Sequence, residues 1–584
     1  MKIVLTVLLL ASSVLTSYAQ DAKPGMNEYE YLQGERRRAD KVVGDAPNPP
    51  VDSLKKAEQI LLDAMAYYHR PEVQELAKVN QYLLARKGDM SFDLAVVQAK
   101  LGQTEKAAKT LAYPLSGKRA QYYVKWINEE AALADVRKQP VIADLLTKAL
   151  IGDRLFNSEA LKTAYRVDIS DDEKVAGLSK LWSEAKYNFA YFDHIPDVDW
   201  DKLYLDYLPK IRATHSTADY YRVLKRFVAQ LHDGHTGVWA DDNQLADSVS
   251  RRPPIGAVLV ENKLLVQTVM SDSLQRTGIR PGLEIVTIDG MPAKAYADQY
   301  VRPYQAGSTT QNLDVQTYLY NLLRGPKDKP VRVDFRDAKG QSFTRILPRF
   351  GYGKLNPEPA FSFRILPGNV AYVQLNSFDD NQALTRFKAA YDSIAPTNAL
   401  ILDVRRNGGG SSDYGWNILS YLTDKPMKTG SYESRLYSPL RRARGEGVVL
   451  ESVEGGNSWQ PNGKHLYTRP VVVLTSGETF SAAEDFAVVF DAMKRGTIIG
   501  EPTGGSTGQP LVFSLPGGVM ARVCTKRDMY PDGTEWNAKG IQPQLLVRPT
   551  VADIQSGRDT VLEAALAHLG VGATAVKSKS KKAR

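Results

Sequence analysis

VVVLTSGETFSAAEDFAVVFDAMKRGTIIGEPTGGSTG, residues 471–508, alternates between two backbone periodicities. Val471 to Thr475 is a β-branched run and reads as a buried strand. Ser476-Gly477-Glu478-Thr479 interrupts it. From Ser481 to about Met493 apolar residues recur at helical spacing, with Ala482, Ala483, Phe486, Val489 and Phe490 on the buried side. A second strand, Thr497 to Gly500, leads into the glycine-rich loop Gly504–Gly508. Ser481 therefore sits where a strand turns into a helix. Such a serine can be the N-cap that most helices favour. It can equally be a nucleophile, because its Oγ projects from the end of a sheet and the free N–H groups of the first helical turn can hold an oxyanion.

Working outward, the chain of 584 residues is long enough for several domains. Lys2, the apolar run Ile3 to Leu15 and Ser17-Tyr18-Ala19 form the pattern of a cleaved secretory signal, residues 1–19. The run is short for a membrane span, and the mature protein is expected to be exported, periplasmic or extracellular, without a transmembrane anchor. One cysteine, Cys524, excludes an internal disulfide and a cysteine metal cluster. Net charge is +9, and five of the positive charges fall in the last eight residues. Residues 570–584 thus read as a basic disordered tail, and the nearly balanced remainder argues against a nucleic-acid partner.

Residues 20–50, with Arg36-Arg37-Arg38 and Asn48-Pro49-Pro50, read as a flexible leader. Residues 51–165 are helical throughout, and FDLAVVQAKLGQTEKAAKTLAYPL is patterned like a helix pair of tetratricopeptide type or of a plain bundle. Residues 166–250 carry aromatic-rich helices and end in Leu231-His232-Asp233-Gly234-His235-Thr236. Residues 254–348 are β-rich: IGAVLVENKLLVQTV reads as a hairpin, Ser273 to Gly278 as a short helix and Ile285 to Gly290 as strand and turn. In residues 355–552, Ala399 to Val404 is a buried strand before the loop Arg405–Gly410. No Gly-Lys-Ser/Thr follows either glycine loop, which argues against a nucleotide site.

TSGETFSAAED resembles the nucleophile segment of the C-terminal processing (tail-specific) serine peptidases, in the branch that includes the tricorn core and interphotoreceptor retinoid-binding protein. Asp-Gly-His-Thr at 233–236 is similar to the motif that carries that family's general-base histidine, and Asp403–Gly410 to its Asp-x-Arg-x-Asn-x-Gly-Gly element. Gly540-Ile541-Gln542-Pro543 resembles its closing element, with Gln544 in place of aspartate. The resemblance runs from about residue 171 to 550. It implies a multidomain protein: an all-α N-terminal helical-repeat region, a β-rich PDZ module and an α/β (ClpP/crotonase-like) peptidase core.

The resemblance also implies a site: Ser481 as nucleophile, His235 as base, and backbone N–H groups of Gly409 (or its neighbours) and Ala482 as the oxyanion hole. The lysine of the lysine-base branch is replaced by Ser506. Lys494, 13 residues beyond Ser481 and about 20 Å along the helix, is a poor substitute. Gly234 removes the hydroxyl that precedes the histidine in the tricorn-like branch. Asn537 falls about where that branch has its glutamate, and Glu535, two residues away, is the expected orienting acid. No cofactor or metal is called for. Polypeptide substrates are expected, with tails captured by the PDZ module and a protein partner for the helical domain. The rival function is non-catalytic binding of a lipophilic ligand or peptide tails.

Overall fold

The Val471–Thr475 and Ala399–Asp403 strands are buried at all five positions each, as expected of strands covered on both faces. They form the centre of a six-stranded sheet. Its order is Leu545–Leu546, Thr497–Gly500, Val471–Thr475, Ala399–Asp403, Val370–Leu375 and Phe361–Leu366. Pairing is parallel except for the last two strands, which form an antiparallel hairpin. Residues two apart share a face, so Val472 and Leu474 pack with Ile401, Tyr372 and Ile499 against Val561, Leu562, Ala565 and Leu566 of the Thr560–His568 helix. This helix extends the core beyond residue 552, where the sequence placed its end. The Ala482–Ala492 helix leaves the C-terminal end of Val471–Thr475.

The computed structural model describes residues 28–571 apart from 45, 47, 80, 157, 454–457 and 464. The expected signal peptide and all but the first two residues of the expected basic tail lie outside the described residues. Contacts divide the chain into two units. Among the described residues, the first comprises 28–156, whose named elements are all helices, with two short pieces from 424–426 and 460–466. Its Gln81–Lys100 and Thr104–Ser116 helices are joined by Leu101-Gly102-Gln103, with Gly102 at φ 74°. The leader reading needs correction: residues 28–43 form the helix Glu28–Val43, with Leu32 and Ala39 buried on one face. Arg36 of this helix has acidic partners on another helix. Arg36 donates to Asp93 at 2.6 Å and lies 3.5 Å from Asp89.

The second unit holds everything else, and two of its sheets position the site. Gly237–Ala240 pairs antiparallel with Val519–Cys524, whose other edge pairs antiparallel with Pro510–Leu515. Arg522 lies opposite both Gly237 and Val512. The outer strands therefore run in the same direction, and the segments just before them, His235 and the 504–508 loop, come to one end of the sheet. The aromatic-rich helices 171–228 pack on this sheet around Phe189, Tyr220 and Phe227.

The β-rich module is a sheet ordered Ile255–Val260, Lys263–Val269, Glu284–Ile288, Val331–Arg336 and Ser342–Leu347. Glu261 and Asn262 turn the first hairpin at φ 49° and 63°, the double positive φ of a type I′ turn. The expected short helix is Asp272–Arg276. Ile255–Val260 is an edge strand, with the helical segment Thr310–Asp314 and its continuation Val315–Asn321 beside it.

Candidate active site

Ser481 has φ 57° and ψ −125°, a conformation that costs a non-glycine residue about 1–3 kcal/mol. Surrounding bonds hold it there. Phe480 N–H donates to Asn407 O (3.0 Å), Thr479 Oγ1 to Val404 O (2.9 Å) and Ser476 Oγ to Arg405 O (2.6 Å). The turn is thus fastened to the Asp403–Gly410 loop. That loop is itself fixed: Arg405 pairs with Asp403 and Asp559 at 2.7 Å each, and Asn407 Nδ2 donates to Leu375 O. A Cβ at Gly409 (φ 105°) would fall 2.7 Å from Ser481 Cβ. Only glycine allows that approach.

The structure brings Ser481 and His235 together: Oγ and Nε2 are 2.9 Å apart. His235 is buried, and its ring stacks on Phe480 with centroids 4.5 Å apart. Burial, then the charges of Arg522 and Lys526, push its pKa down to about 3. The imidazole is therefore neutral near pH 7. Its Nδ1 lies 2.9 Å from Ser506 Oγ, which in turn donates to Asp233 Oδ1 at 3.2 Å. Asp233 also accepts from His235 N–H (3.1 Å), Thr236 Oγ1 (2.6 Å) and Ser308 Oγ (3.1 Å).

The expected orienting acid is not at the histidine. The Glu535 carboxylate meets Arg527 at 3.0 Å and His194 at 3.5 Å, and the hydrogen bond from His194 and the charge of Arg527 hold its pKa down against burial. His235 Nδ1 faces Ser506 instead. A side chain at Gly234 would displace its neighbours: a Cβ would lie 2.6 Å from Asn312 Oδ1 and 3.0 Å from the Phe480 ring. Ser506 supplies the hydroxyl from another loop. Of the two expected oxyanion donors, Gly409 N–H donates to Asn407 Oδ1 at 2.9 Å, while Ala482 begins the helix next to Ser481. Lys494 is largely exposed and pairs with Asp491, and His232 is exposed in a left-handed turn.

Residues 369–547 match the model of peptidase family S41. The chain is 26% identical over 379 residues to the chloroplastic C-terminal processing peptidase of Tetradesmus obliquus, covering 60% of this chain and 73% of that protein. It is 25% identical over 305 residues to the chloroplastic carboxyl-terminal-processing peptidase 2 of Arabidopsis thaliana, about half the length of each. The solved structure of mature CPAF superimposes with a TM-score of 0.52 at 16% identity, over 69% of this chain and 97% of CPAF. This is a serine-peptidase-fold protein related to the S41 and C-terminal processing proteases.

Three residues around the Ser481–His235 contact were not drawn from the sequence as parts of the site. Asp233 lies inside the quoted motif, and its spacing of two from His235 was the available signal. Ser506 was noted only as a replacement for lysine. Glu484 follows Ser481 by three residues on the same helix. Its buried carboxylate accepts from Thr503 Oγ1 (2.6 Å) and Gly505 N–H (2.7 Å) on Oε1, and from Ser481 N–H (3.1 Å) and Ser506 N–H (3.2 Å) on Oε2. One carboxylate thus holds both serine-bearing segments. Burial pushes its pKa up to about 8 against the pull of these donors.

A cavity of about 780 Å³ opens between the β-rich module and the S41 core. One wall is the Ala257–Leu259 edge with Val315, Tyr318 and Leu319; the other includes Arg405, Arg406, Ser476 and Glu478. Gln267 Nε2 donates to Glu478 Oε1 at 2.6 Å across it.

Proposed function

We propose that this protein is an exported serine endopeptidase that cleaves unfolded or C-terminal segments of proteins. The observation that carries the reading is the 2.9 Å contact between Ser481 Oγ and the buried, neutral His235. A serine is a weak nucleophile until an adjacent base takes its proton. Ser481 Oγ attacks the scissile carbonyl carbon while its proton passes to His235 Nε2. The carbonyl oxygen becomes an oxyanion, held by Ala482 N–H together with an N–H of the 408–410 loop. His235 then returns the proton to the leaving amine, and an ester to Ser481 remains. Water, deprotonated by His235, releases the new C-terminus and restores the serine.

The unpaired edge of Ile255–Val260 beside the 310–321 helical segment suits an extended peptide added as a further strand. A captured tail would continue into the cavity, whose wall stops three residues short of Ser481. The charged lining, with Arg406, Glu478 and Glu501, favours a polypeptide over the lipophilic ligand of the rival reading.

The test is labelling of the purified mature protein by a fluorophosphonate, with hydrolysis of an unfolded protein measured in parallel. Ser481 is the expected site of modification. Ser481→Ala and His235→Ala are expected to lose hydrolysis to a similar extent, and the double variant to lose no more, because residues acting as one unit are non-additive. Parental hydrolysis by Ser481→Ala ends the nucleophile assignment.

A further inference from the structure

We infer that Asp233 is the carboxylate that serves His235, acting through the hydroxyl of Ser506 and without touching the ring. The inference rests on the Ser481–His235 reading and adds the groups that orient the histidine. Four donors converge on Asp233: the N–H of His235 and the hydroxyls of Thr236, Ser308 and Ser506. Burial raises the Asp233 pKa, and the three hydroxyls and the positive charge of Arg522 oppose that rise in favour of the carboxylate. A carboxylate so surrounded acts as an acceptor, and the Ser506 O–H is directed to it. The lone pairs of Ser506 Oγ are then what His235 Nδ1 meets at 2.9 Å. Only a protonated Nδ1 satisfies that contact, which leaves the Nε2 lone pair facing Ser481. Ser506 therefore selects the tautomer that can act as a base.

The same chain of bonds serves the charged intermediate. When Nε2 takes the serine proton, the imidazolium donates from Nδ1 to Ser506, and Ser506 donates to Asp233. The carboxylate lies two hydrogen bonds from the ring and keeps its charge throughout. No proton has to leave the line. Ser506 has little freedom to do otherwise, since it is fully buried and Glu484 holds its N–H. Ser308 supports the far end, donating to Asp233 while accepting from Gly234 N–H at 3.0 Å. Asp233 and Ser506 are positioning residues, since both act through His235.

The experiment measures peptide hydrolysis and fluorophosphonate labelling for the parent, Ser506→Ala, Ser506→Thr and the Ser506→Ala/Asp233→Asn pair. A second measurement records the ¹⁵N spectrum of the imidazoles, with His235→Gln to assign the His235 signal. Ser506→Ala is expected to lower kcat about 10²-fold, within the range of an acid–base contribution, while KM moves less than about threefold. Ser506→Thr, which keeps the hydroxyl, is expected to recover at least about tenfold of that loss. Adding Asp233→Asn to Ser506→Ala should cost little more. The parent should carry its proton on Nδ1, and Ser506→Ala should raise the Nε2–H form. Parental kcat in Ser506→Ala, or an Nε2–H tautomer in the parent, overturns the inference. A parent that carries Nδ1–H but does not label at Ser481 refutes the peptidase reading and leaves the Asp233–Ser506 arrangement standing.

Discussion

Replacing Glu484 by glutamine tests how the two serine-bearing segments are held together. The carboxylate accepts four hydrogen bonds, two on each oxygen. A glutamine keeps one acceptor oxygen and presents an NH₂ on the other side. If the oxygen faces Ser481 and Ser506, the NH₂ faces Thr503 and Gly505. The Thr503 hydroxyl can rotate and accept from it, although Thr503 Oγ1 already accepts from Ile541 N–H at 2.7 Å. Gly505 N–H has no such recourse and is left unpaired in a buried site, at about 1–3 kcal/mol. Measured above pH 8, where the group is ionised, the remaining bonds also lose the extra strength of a charged acceptor, about 1 kcal/mol in sum. The opposite rotamer is worse, because it leaves the N–H groups of both Ser481 and Ser506 facing a donor. The total is about 2–4 kcal/mol, or a 30- to 700-fold loss of local protection. Hydrogen exchange of the peptide spanning residues 503–506 is the assay, with exchange in the N-terminal helical unit as the internal reference. Exchange in Glu484→Gln within threefold of the parent would refute the reasoning that this carboxylate is the clamp.

Two further outcomes are expected. His235 is held near pKa 3 in the folded protein, against about 6.5 unfolded. Below pH 6.5 the unfolded chain takes up a proton that the folded site refuses, so this contribution is present above pH 6.5 and is lost as pH falls toward 3. The urea stability of the parent should therefore fall about 1.4 kcal/mol per pH unit more steeply than that of His235→Gln between pH 6 and 4; parallel curves would contradict the buried neutral imidazole. A substrate with a free C-terminal carboxylate on an apolar tail should be cleaved at lower apparent KM than its amidated twin, because a captured tail raises local concentration, and equal KM values would leave the β-rich module without a tail-binding role.

Much of the architecture was legible because burial imposes simple periods on a chain. Val471–Thr475 announces a central strand by its β-branched residues and Ala399–Leu402 by its apolar run, and Glu261-Asn262 separates two apolar-rich runs as a hairpin should. The switch to helical spacing at Ser481 places that serine at a strand end with no knowledge of its neighbours. The helix Glu28–Val43 was hidden, because its arginines look solvated until Asp93 and Asp89 are found beside Arg36. That pairing spans more than fifty residues and leaves no local pattern.

The candidate site divides along the same line. Local sequence determined that Ser481 and His235 would be presented on turns, and that glycines would let the 408–410 loop approach closely. It could not determine which acid serves the histidine, because that choice depends on contacts between segments hundreds of residues apart. Glu535 lay nearest the expected position in the chain, yet Arg527 and His194 take its carboxylate. Asp233 and Ser506 meet because Gly237–Ala240 and Pro510–Leu515 flank the same strand in the same direction. Strand pairing selects partners by register, which no short motif encodes, so the residues came from the sequence and their association from the tertiary fold.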